Sequence, residues 1–180
     1  MEKRSTVDNT MILFDRVTKT YETGQKALDD VSLQIEKGEF VFLVGPSGSG
    51  KSTIIKLLTG EVEPCAGRIM INGFSVSNIS EKQIPLMRRT LGVIFQDFRL
   101  IPTMTVYENI AFAMHVTNVK SREISDRVEY MLELVHLEDK AKAYPDTLSG
   151  GEQQRVAVAR ALAHGPKPVS YTHLTLPTIL

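Results

Sequence analysis

The stretch GPSGSGKST, residues 45–53, constrains the fold of this chain more than any other feature of the sequence. It directly follows the apolar run EFVFLVG (39–45), which predicts a strand buried on both faces of a parallel sheet. A helix is predicted to follow, from Gly50 to about Leu58. The glycines let the backbone curl so that several N–H groups point inward, and the start of the helix adds partial positive charge. The stretch therefore predicts a phosphate-binding loop between a strand and a helix.

The side chains of this loop indicate a nucleoside triphosphate as the ligand. Lys51 is expected to reach the β- and γ-phosphates, and the hydroxyl of Ser52 to ligate Mg²⁺. A Gly/Ser turn that binds nothing is the alternative, and the predicted strand and helix on either side disfavour it. The loop alone leaves open GTPases, kinases, helicases and transport ATPases. The residues predicted to bind the nucleotide here are Gly45, Pro46, Ser47, Gly48, Ser49, Gly50, Lys51, Ser52 and Thr53.

The remaining elements predict an α/β architecture with a helical insertion. Strands are predicted at 12–21, 28–35, 68–76 (with a turn at Asn72-Gly73) and 91–95. Capping-box spacings predict helices that begin at Ser80, Thr105 and Ser149. A further helix is predicted over 122–135, where five apolar residues share one face: Ile124, Val128, Met131, Leu132 and Val135.

Composition excludes several classes of protein. Lys plus Arg and Asp plus Glu each total 21, and this balance argues against a nucleic-acid binder that works through bulk basicity. The single cysteine, Cys65, rules out an internal disulfide and is interpreted as an ordinary loop residue. No segment approaches the roughly 18 apolar residues of a membrane span, and the N-terminus lacks the apolar stretch of a signal peptide. We therefore expect a cytosolic protein that meets a membrane only through a partner.

LSGGEQQR, residues 148–155, predicts a second anion site. It reads as a serine-capped helix whose first turn is two glycines, so its N–H groups are accessible. One nucleotide does not need two such sites from one monomer, whereas two monomers packed head to tail can each lend this helix to the other's phosphate. For Ser149, Gly150 and Gly151 taken alone, a loop that ends at a helix cap explains the pattern equally well.

The whole string LSGGEQQR resembles the signature sequence of the ATP-binding-cassette (ABC) ATPases. Gln96 in VIFQDF is similar to the Q-loop glutamine of that family, and Gln96 and Ser149 follow Lys51 at separations similar to the family's. Tyr21 in TKTYETG occupies the position of the family's adenine-stacking aromatic. The resemblance runs from about Ile12 to Lys167.

The resemblance implies a role for each matching residue. Tyr21 would stack on adenine, and Gln96 would ligate Mg²⁺ together with Ser52 and sense the γ-phosphate through the attacking water. Ser149, Gly150 and Gly151 would contact the γ-phosphate of ATP held by a second monomer, in a head-to-tail homodimer. The implied cofactors are ATP and Mg²⁺.

The implied fold is a P-loop NTPase of the ABC type: a parallel-sheet core with an antiparallel β subdomain and a helical insertion, incomplete at its C-terminus. The helical subdomain would meet a membrane permease. The predicted divisions are a flexible N-terminus (1–10), the ATP-binding core and β subdomain (11–96), the helical subdomain (97–148), the signature helix returning to the core (149–167) and a tail (168–180).

Three phrases resemble the members of the family that act in bacterial cell division: ALDDVSLQIEKGEFVFLVGPSGSGKST, RRTLGVIFQDFRL and YPDTLSGGEQQRVAVARAL. The partner would then be a polytopic membrane permease on which dimer closure pulls, and no solute need be transported. The protein would lie peripherally at the cytoplasmic face of the plasma membrane, without nucleic acid. An ATPase of lipoprotein release or of amino-acid import is the alternative, since these share LSGGEQQR.

The end of the chain departs from the family pattern. The family has a buried strand ending in Asp-Glu after the signature helix, whereas Thr172 and His173 fall at those positions and the last acidic residue is Glu152. No catalytic acid or base is therefore predicted, and we expect ATP binding without turnover. Because 168–180 contains no Asp, Glu, Lys or Arg, we expect that it is not the native continuation. The buried strand that the family has next to the phosphate-loop strand would then be missing, so buried backbone donors and acceptors would lack partners and we expect the chain to be marginally stable or insoluble. A naturally shortened, non-hydrolysing nucleotide-binding protein is the alternative.

Overall fold

The structure is a computed structural model that describes residues 9–95, 97–166 and, for their backbone, 169–171. The chain divides into two compact units, residues 1–90 and 91–180. Among the described residues, no helix is long and apolar enough to cross a membrane. The domain boundaries predicted from the sequence remain predictions.

The first unit contains an antiparallel sheet of four strands in the order β2-β1-β3-β4. The strands predicted at 12–21, 28–35 and 68–76 are confirmed. The turn between β3 and β4 is confirmed too, with φ angles of 48° at Asn72 and 83° at Gly73. The strands are β1 (Thr10–Thr20), β2 (Lys26–Glu36), β3 (Ala66–Ile71) and β4 (Phe74–Ser75).

Two helices accompany this sheet, α1 (Lys51–Leu58) and α2 (Ile84–Arg88). The helix predicted after the phosphate loop is confirmed as α1. The prediction that Ser80 begins a helix is wrong, because the Ser80 Oγ donates to Gln83 Oε1 (3.0 Å) rather than accepting from the backbone, and Gln83 becomes the N-cap. The largest fully buried side chains of this unit are those of Phe14, Val17, Leu57, Ile69, Ile71, Val76 and Met87.

The strand predicted at 39–45 is not formed. Phe40 and Val44 are 81% and 86% exposed, and no described strand pairs with this segment. An apolar run favours a buried, extended conformation. A strand also needs neighbouring strands whose backbone groups pair with its N–H and C=O groups. The described part of the chain places no such neighbour beside it.

The second unit is mainly helical, with α3 (Val106–Val116), α4 (Ser121–Leu134) and α5 (Gly150–Ala163) packed around one apolar cluster. The helices predicted to begin at Thr105 and Ser149 are confirmed, each with both hydrogen bonds of a capping box. All five apolar residues predicted to share a face of the 122–135 helix are buried.

A parallel pair of short strands, β5 (Gly92–Ile94) and β6 (Val169–Tyr171), completes the second unit. The prediction of a strand at 91–95 is confirmed, and Ile94 is buried against Ala157 and Ala161 of α5. β5 ends two residues before Gln96, and its packing against α5 holds Ile94 in place.

Candidate functional site

The loop before α1 has the backbone that a phosphate site requires. Gly48 and Gly50 have φ angles of 79° and 89°, a region that residues with a side chain rarely adopt. At Gly50 an added Cβ would lie 2.6 Å from the carbonyl oxygen of Ala27 and 2.8 Å from Leu28 Cδ2. Both the turn and the close approach of β2 therefore require glycine at position 50.

Lys51 folds back over this loop. Its ammonium group donates to the carbonyl oxygens of Gly45 and Pro46, each at 2.7 Å, and to Ser49 Oγ at 3.2 Å. The positive charge is therefore held against the backbone of the loop, in the residue that begins α1. An anion that enters this loop would meet a cation already in place.

The start of α1 is open to a ligand. Its N-cap is Gly50, which has no side chain to accept from the first-turn N–H groups, and the first turn contains no acidic residue. The first N–H groups of a helix lack partners within the helix and attract anions. Ser52 is exposed in this first turn.

Tyr21 lies close to the same helix. Its hydroxyl is 3.2 Å from Oγ1 of the buried Thr53, and Lys19 Nζ lies 5.5 Å from the centre of its ring. The structure thus brings two of the predicted nucleotide-binding residues, Tyr21 and Thr53, into contact. Tyr21 is only partly buried.

These residues fit a Mg²⁺-bound triphosphate. The loop supplies backbone N–H groups and a lysine for phosphate oxygens, and Ser52 supplies the oxygen ligand that magnesium prefers. Among the described residues, no group of three or more His, Cys, Asp or Glu side chains could hold a metal by itself. Phosphate oxygens and water would therefore complete the coordination. Gln96, the second predicted ligand, lies outside the described residues, as do Thr172 and His173.

The signature segment forms a rigid helix cap. Ser149 Oγ accepts from the Glu152 N–H (3.3 Å), while Glu152 Oε2 accepts from both the N–H and the hydroxyl of Ser149 at 2.7 Å. These hydrogen bonds from Ser149 lower the pKa of Glu152 below its usual value, so its carboxylate remains charged and holds the cap. Ser149 is exposed at the tip of α5.

The glycines of the signature are not required by the fold. An added Cβ would meet nothing within 4 Å at Gly150 and only Arg155 Nη1, at 4.0 Å, at Gly151. Both residues are exposed and helical, so neither sterics nor backbone conformation explains them. Without side chains at these two positions, a close-fitting ligand could approach the helix backbone between Ser149 and Glu152.

Two polar residues of α5 that sequence reasoning missed hold segments of this unit in place. Gln153 Nε2 donates to the carbonyl oxygens of Pro145 (2.9 Å) and Leu148 (3.2 Å), just before the signature. Arg160 donates to two carbonyl oxygens of the segment after Gln96. The available signal was their spacing of seven residues, which puts two polar side chains on one face of the helix.

The predicted residues thus form two sets, each within one unit. Tyr21, the loop and α1 belong to the first unit, and the signature tip of α5 belongs to the second. In each set, an exposed serine lies at the N-terminal end of a helix: Ser52 in the first turn of α1 and Ser149 as the N-cap of α5.

Comparison with known proteins bears on this pair of sites. The family model described as "ABC transporter" matches residues 28–169. The cell division ATP-binding protein FtsE of Bacillus subtilis is 50% identical over 159 residues, which cover 88% of this chain and 70% of that protein. The FtsE of Escherichia coli is 43% identical over 87% of this chain and 70% of its own length. The chain spans about two thirds of the length of the FtsE relatives that it matches.

Solved structures agree in fold. A dimeric ATP-binding cassette in a post-hydrolysis state, bound to ADP and Pi, superposes with a TM-score of 0.81 at 37% identity, over 89% of this chain and 73% of that one. CbiO1 of Clostridium perfringens, part of an ABC transporter complex, gives a TM-score of 0.81 at 28% identity, over 91% of this chain and 65% of that one. The α/β fold predicted from the sequence is therefore confirmed, and the chain belongs to the ABC transporter family of ATP-binding-cassette ATPases.

Proposed function

We propose that this chain is the ATP-binding subunit of an ABC-type complex of bacterial cell division and that it binds Mg·ATP at residues 45–53. The observation that carries the proposal is the open start of α1, with the Lys51 ammonium held 2.7 Å from the carbonyl oxygens of Gly45 and Pro46. Tyr21 would receive the adenine, because its ring lies beside Thr53 of the same helix. Bound Mg²⁺ would neutralise part of the phosphate charge, with Ser52 and Gln96 as its protein ligands.

The bare helix tip at Ser149, Gly150 and Gly151 would contact the γ-phosphate of ATP bound by a second copy. Two observations support this role: all three residues are exposed, and there is open space beside both glycines. The relative solved with ADP and Pi is itself a dimer. Closure would therefore depend on nucleotide, since the charge of the phosphate is what draws the two subunits together.

This chain would bind ATP without turning it over. General-base catalysis by a carboxylate needs an acidic group near the attacking water, and after Glu152 the sequence contains neither Asp nor Glu. Glu152 is not a substitute, because both of its hydrogen bonds go to Ser149.

The membrane partner would be an FtsX-like permease, contacted through the helical segment 97–148. High identity to four FtsE proteins of different bacteria supports this partner over a solute permease. The second candidate is an import ATPase, favoured by 45% identity over 159 residues to the methionine import ATP-binding protein MetN 2 of Bacillus cereus, of which the match covers 47%. Co-expression with each permease would decide between them: membrane retention with the methionine permease alone would contradict the division role.

Titration with a fluorescent ATP analogue and Mg²⁺ tests the nucleotide site. Lys51→Ala should weaken binding at least tenfold, roughly 1.4 kcal/mol, because it removes the cation inside the loop. Lys56→Ala, an exposed lysine in the last turn of the same helix, is the matched control and should change affinity less than twofold. Folded protein without affinity for Mg·ATP at millimolar concentration would refute the site. Phosphate release that disappears in the Lys51→Ala variant would refute the claim that the chain does not hydrolyse ATP.

A further inference from the structure

Arg160 joins α5 to the segment that follows Gln96. Its Nη1 donates to the carbonyl oxygen of Arg99 and its Nη2 to that of Phe98, both at 2.6 Å. One planar guanidinium thus holds two consecutive carbonyl groups, a geometry that fixes direction as well as distance. These contacts span 61 and 62 residues of sequence, so they are tertiary contacts and not part of a local turn.

The backbone that Arg160 holds is in an unfavourable conformation. Phe98 and Arg99 have φ angles of 54° and 47°, and two successive residues with side chains rarely adopt this left-handed region. The N–H of Arg99 donates to the carbonyl oxygen of Asp97 at 2.6 Å, which tightens the turn further. Such a conformation persists only where surrounding contacts hold it in place, and the two hydrogen bonds from Arg160 are among those contacts.

The side chain of Arg99 cannot substitute for Arg160. Its guanidinium lies 3.9 Å from the centre of the Phe95 ring, and its Nε lies 3.4 Å from Asp97 Oδ1. The Arg99 side chain therefore contacts Phe95 and Asp97, while Arg160 holds the two carbonyl groups from α5. The two arginines have separate functions in one turn.

The packing around Arg160 leaves little freedom for the turn to move independently. Ala157 and Ala161 of α5 are buried against Ile94, and Phe98 packs against the same cluster. Small side chains on the helix permit this close approach, so the guanidinium is half-buried where it meets the turn. Burial lowers the pKa of Arg160, and a desolvated cation makes its hydrogen bonds to carbonyl groups costly to lose.

We propose that Arg160 is a positioning residue that makes residues 97–100 move together with the signature helix. The proposal rests on the proposed function, in which the tip of α5 contacts phosphate and the segment after Gln96 leads to the partner. Gln153, seven residues earlier on the same face of α5, holds the segment before the signature in the same way. A shift of α5 would therefore move two segments with it: residues 97–100, held by Arg160, and residues 145–148, held by Gln153.

Hydrogen exchange of the nucleotide-free chain, followed by mass spectrometry, tests whether the two hydrogen bonds from Arg160 hold residues 97–100 in place. Arg160→Met keeps the length of the side chain but removes both donors, and should accelerate exchange of the amides in 97–101 at least tenfold. Peptides from the apolar cluster of α3 and α4 should change less than twofold. Arg160→Lys, with one point donor in place of a fork, should give an intermediate acceleration.

Arg127→Met is the matched control. Its Nε donates to the carbonyl oxygen of Ala163 at 2.6 Å in the same unit, so its loss should affect the end of α5 and leave 97–101 protected. Unchanged exchange of 97–101 in Arg160→Met, or equal acceleration throughout the unit, would overturn the proposal. If the methionine variant does not fold, the lysine variant decides. Faster exchange confined to 97–101 supports the positioning role of Arg160, and unchanged exchange refutes it. Because no nucleotide is present, failure here is distinct from failure of ATP binding.

Discussion

Replacement of both signature glycines by alanine should stabilise the fold while it weakens the site. The structure offers open space at Gly150 and Gly151, and both have helical backbone. Alanine is better than glycine in a helix by about 0.5–1 kcal/mol, and in the first turn we take about 0.5 kcal/mol for each residue. The double variant should then gain about 1 kcal/mol, which raises Tm by roughly 2–4 °C in a chain of this size.

The same two methyl groups would stand between the helix tip and a phosphate of the second subunit. We expect association that depends on Mg·ATP to weaken at least tenfold, about 1.4 kcal/mol. Thermal unfolding by circular dichroism and sedimentation velocity with and without Mg·ATP measure the two effects on one preparation. Ser125→Ala, on the exposed face of α4, is the control that changes helix propensity away from the signature. A lower Tm would refute our interpretation of the glycines as dispensable to the fold, and unchanged association would refute their contact with phosphate.

Three further predictions concern other features of the chain. Gly50→Ala should lower the free energy of unfolding by roughly 2 kcal/mol or more and abolish nucleotide binding, because it combines a left-handed φ with a Cβ 2.6 Å from Ala27 O. Gly24→Ala, which has a similar φ but open space around it, should lower that free energy by only about 1 kcal/mol, as measured by chemical denaturation. Burial lowers the pKa of His164, whose ring nitrogens have no well-formed hydrogen bond among the described residues although the Leu91 backbone lies near. The unfolded chain therefore takes up a proton at a higher pH than the folded chain, and the free energy of unfolding should fall as pH drops below the usual histidine pKa of 6.5. His164→Phe should remove this dependence, and equal pH profiles of Tm for the two proteins would contradict it. The double substitution Phe40→Lys and Val44→Lys should raise the protein concentration up to which light scattering finds only monomer. Both side chains are more than 80% exposed, and the run 40–44 contains no charged residue. An unchanged concentration limit would exclude this run as a contact between copies.

The features that the sequence predicted correctly are those governed by short-range interactions. The capping boxes at Thr105 and Ser149 need only residues three apart, and both form. The apolar face of α4 follows from helical periodicity, and the turn at Asn72-Gly73 from the φ angles that these two residue types tolerate. In each case the physical cause lies within a few residues of chain, so no knowledge of the partner element was necessary.

The Ser80 prediction failed for a reason of the same local kind. Serine and glutamine stand at capping-box spacing, yet the Ser80 hydroxyl donates to Gln83 instead of accepting from the backbone, and α2 starts at Ile84. Spacing alone does not specify the direction of a hydrogen bond.

The sequence by itself determined the phosphate loop, the serine-capped signature helix and the family of the chain, since these depend on residue type and order. Only the tertiary structure decided that no strand of the described residues pairs with 39–45, that Gly50 must be glycine because β2 approaches it, and that Arg160 holds the carbonyl groups of Phe98 and Arg99. The physical reason is that strand pairing, close approach and the choice of a distant hydrogen-bond partner depend on elements far apart in the chain, whose positions no local pattern records.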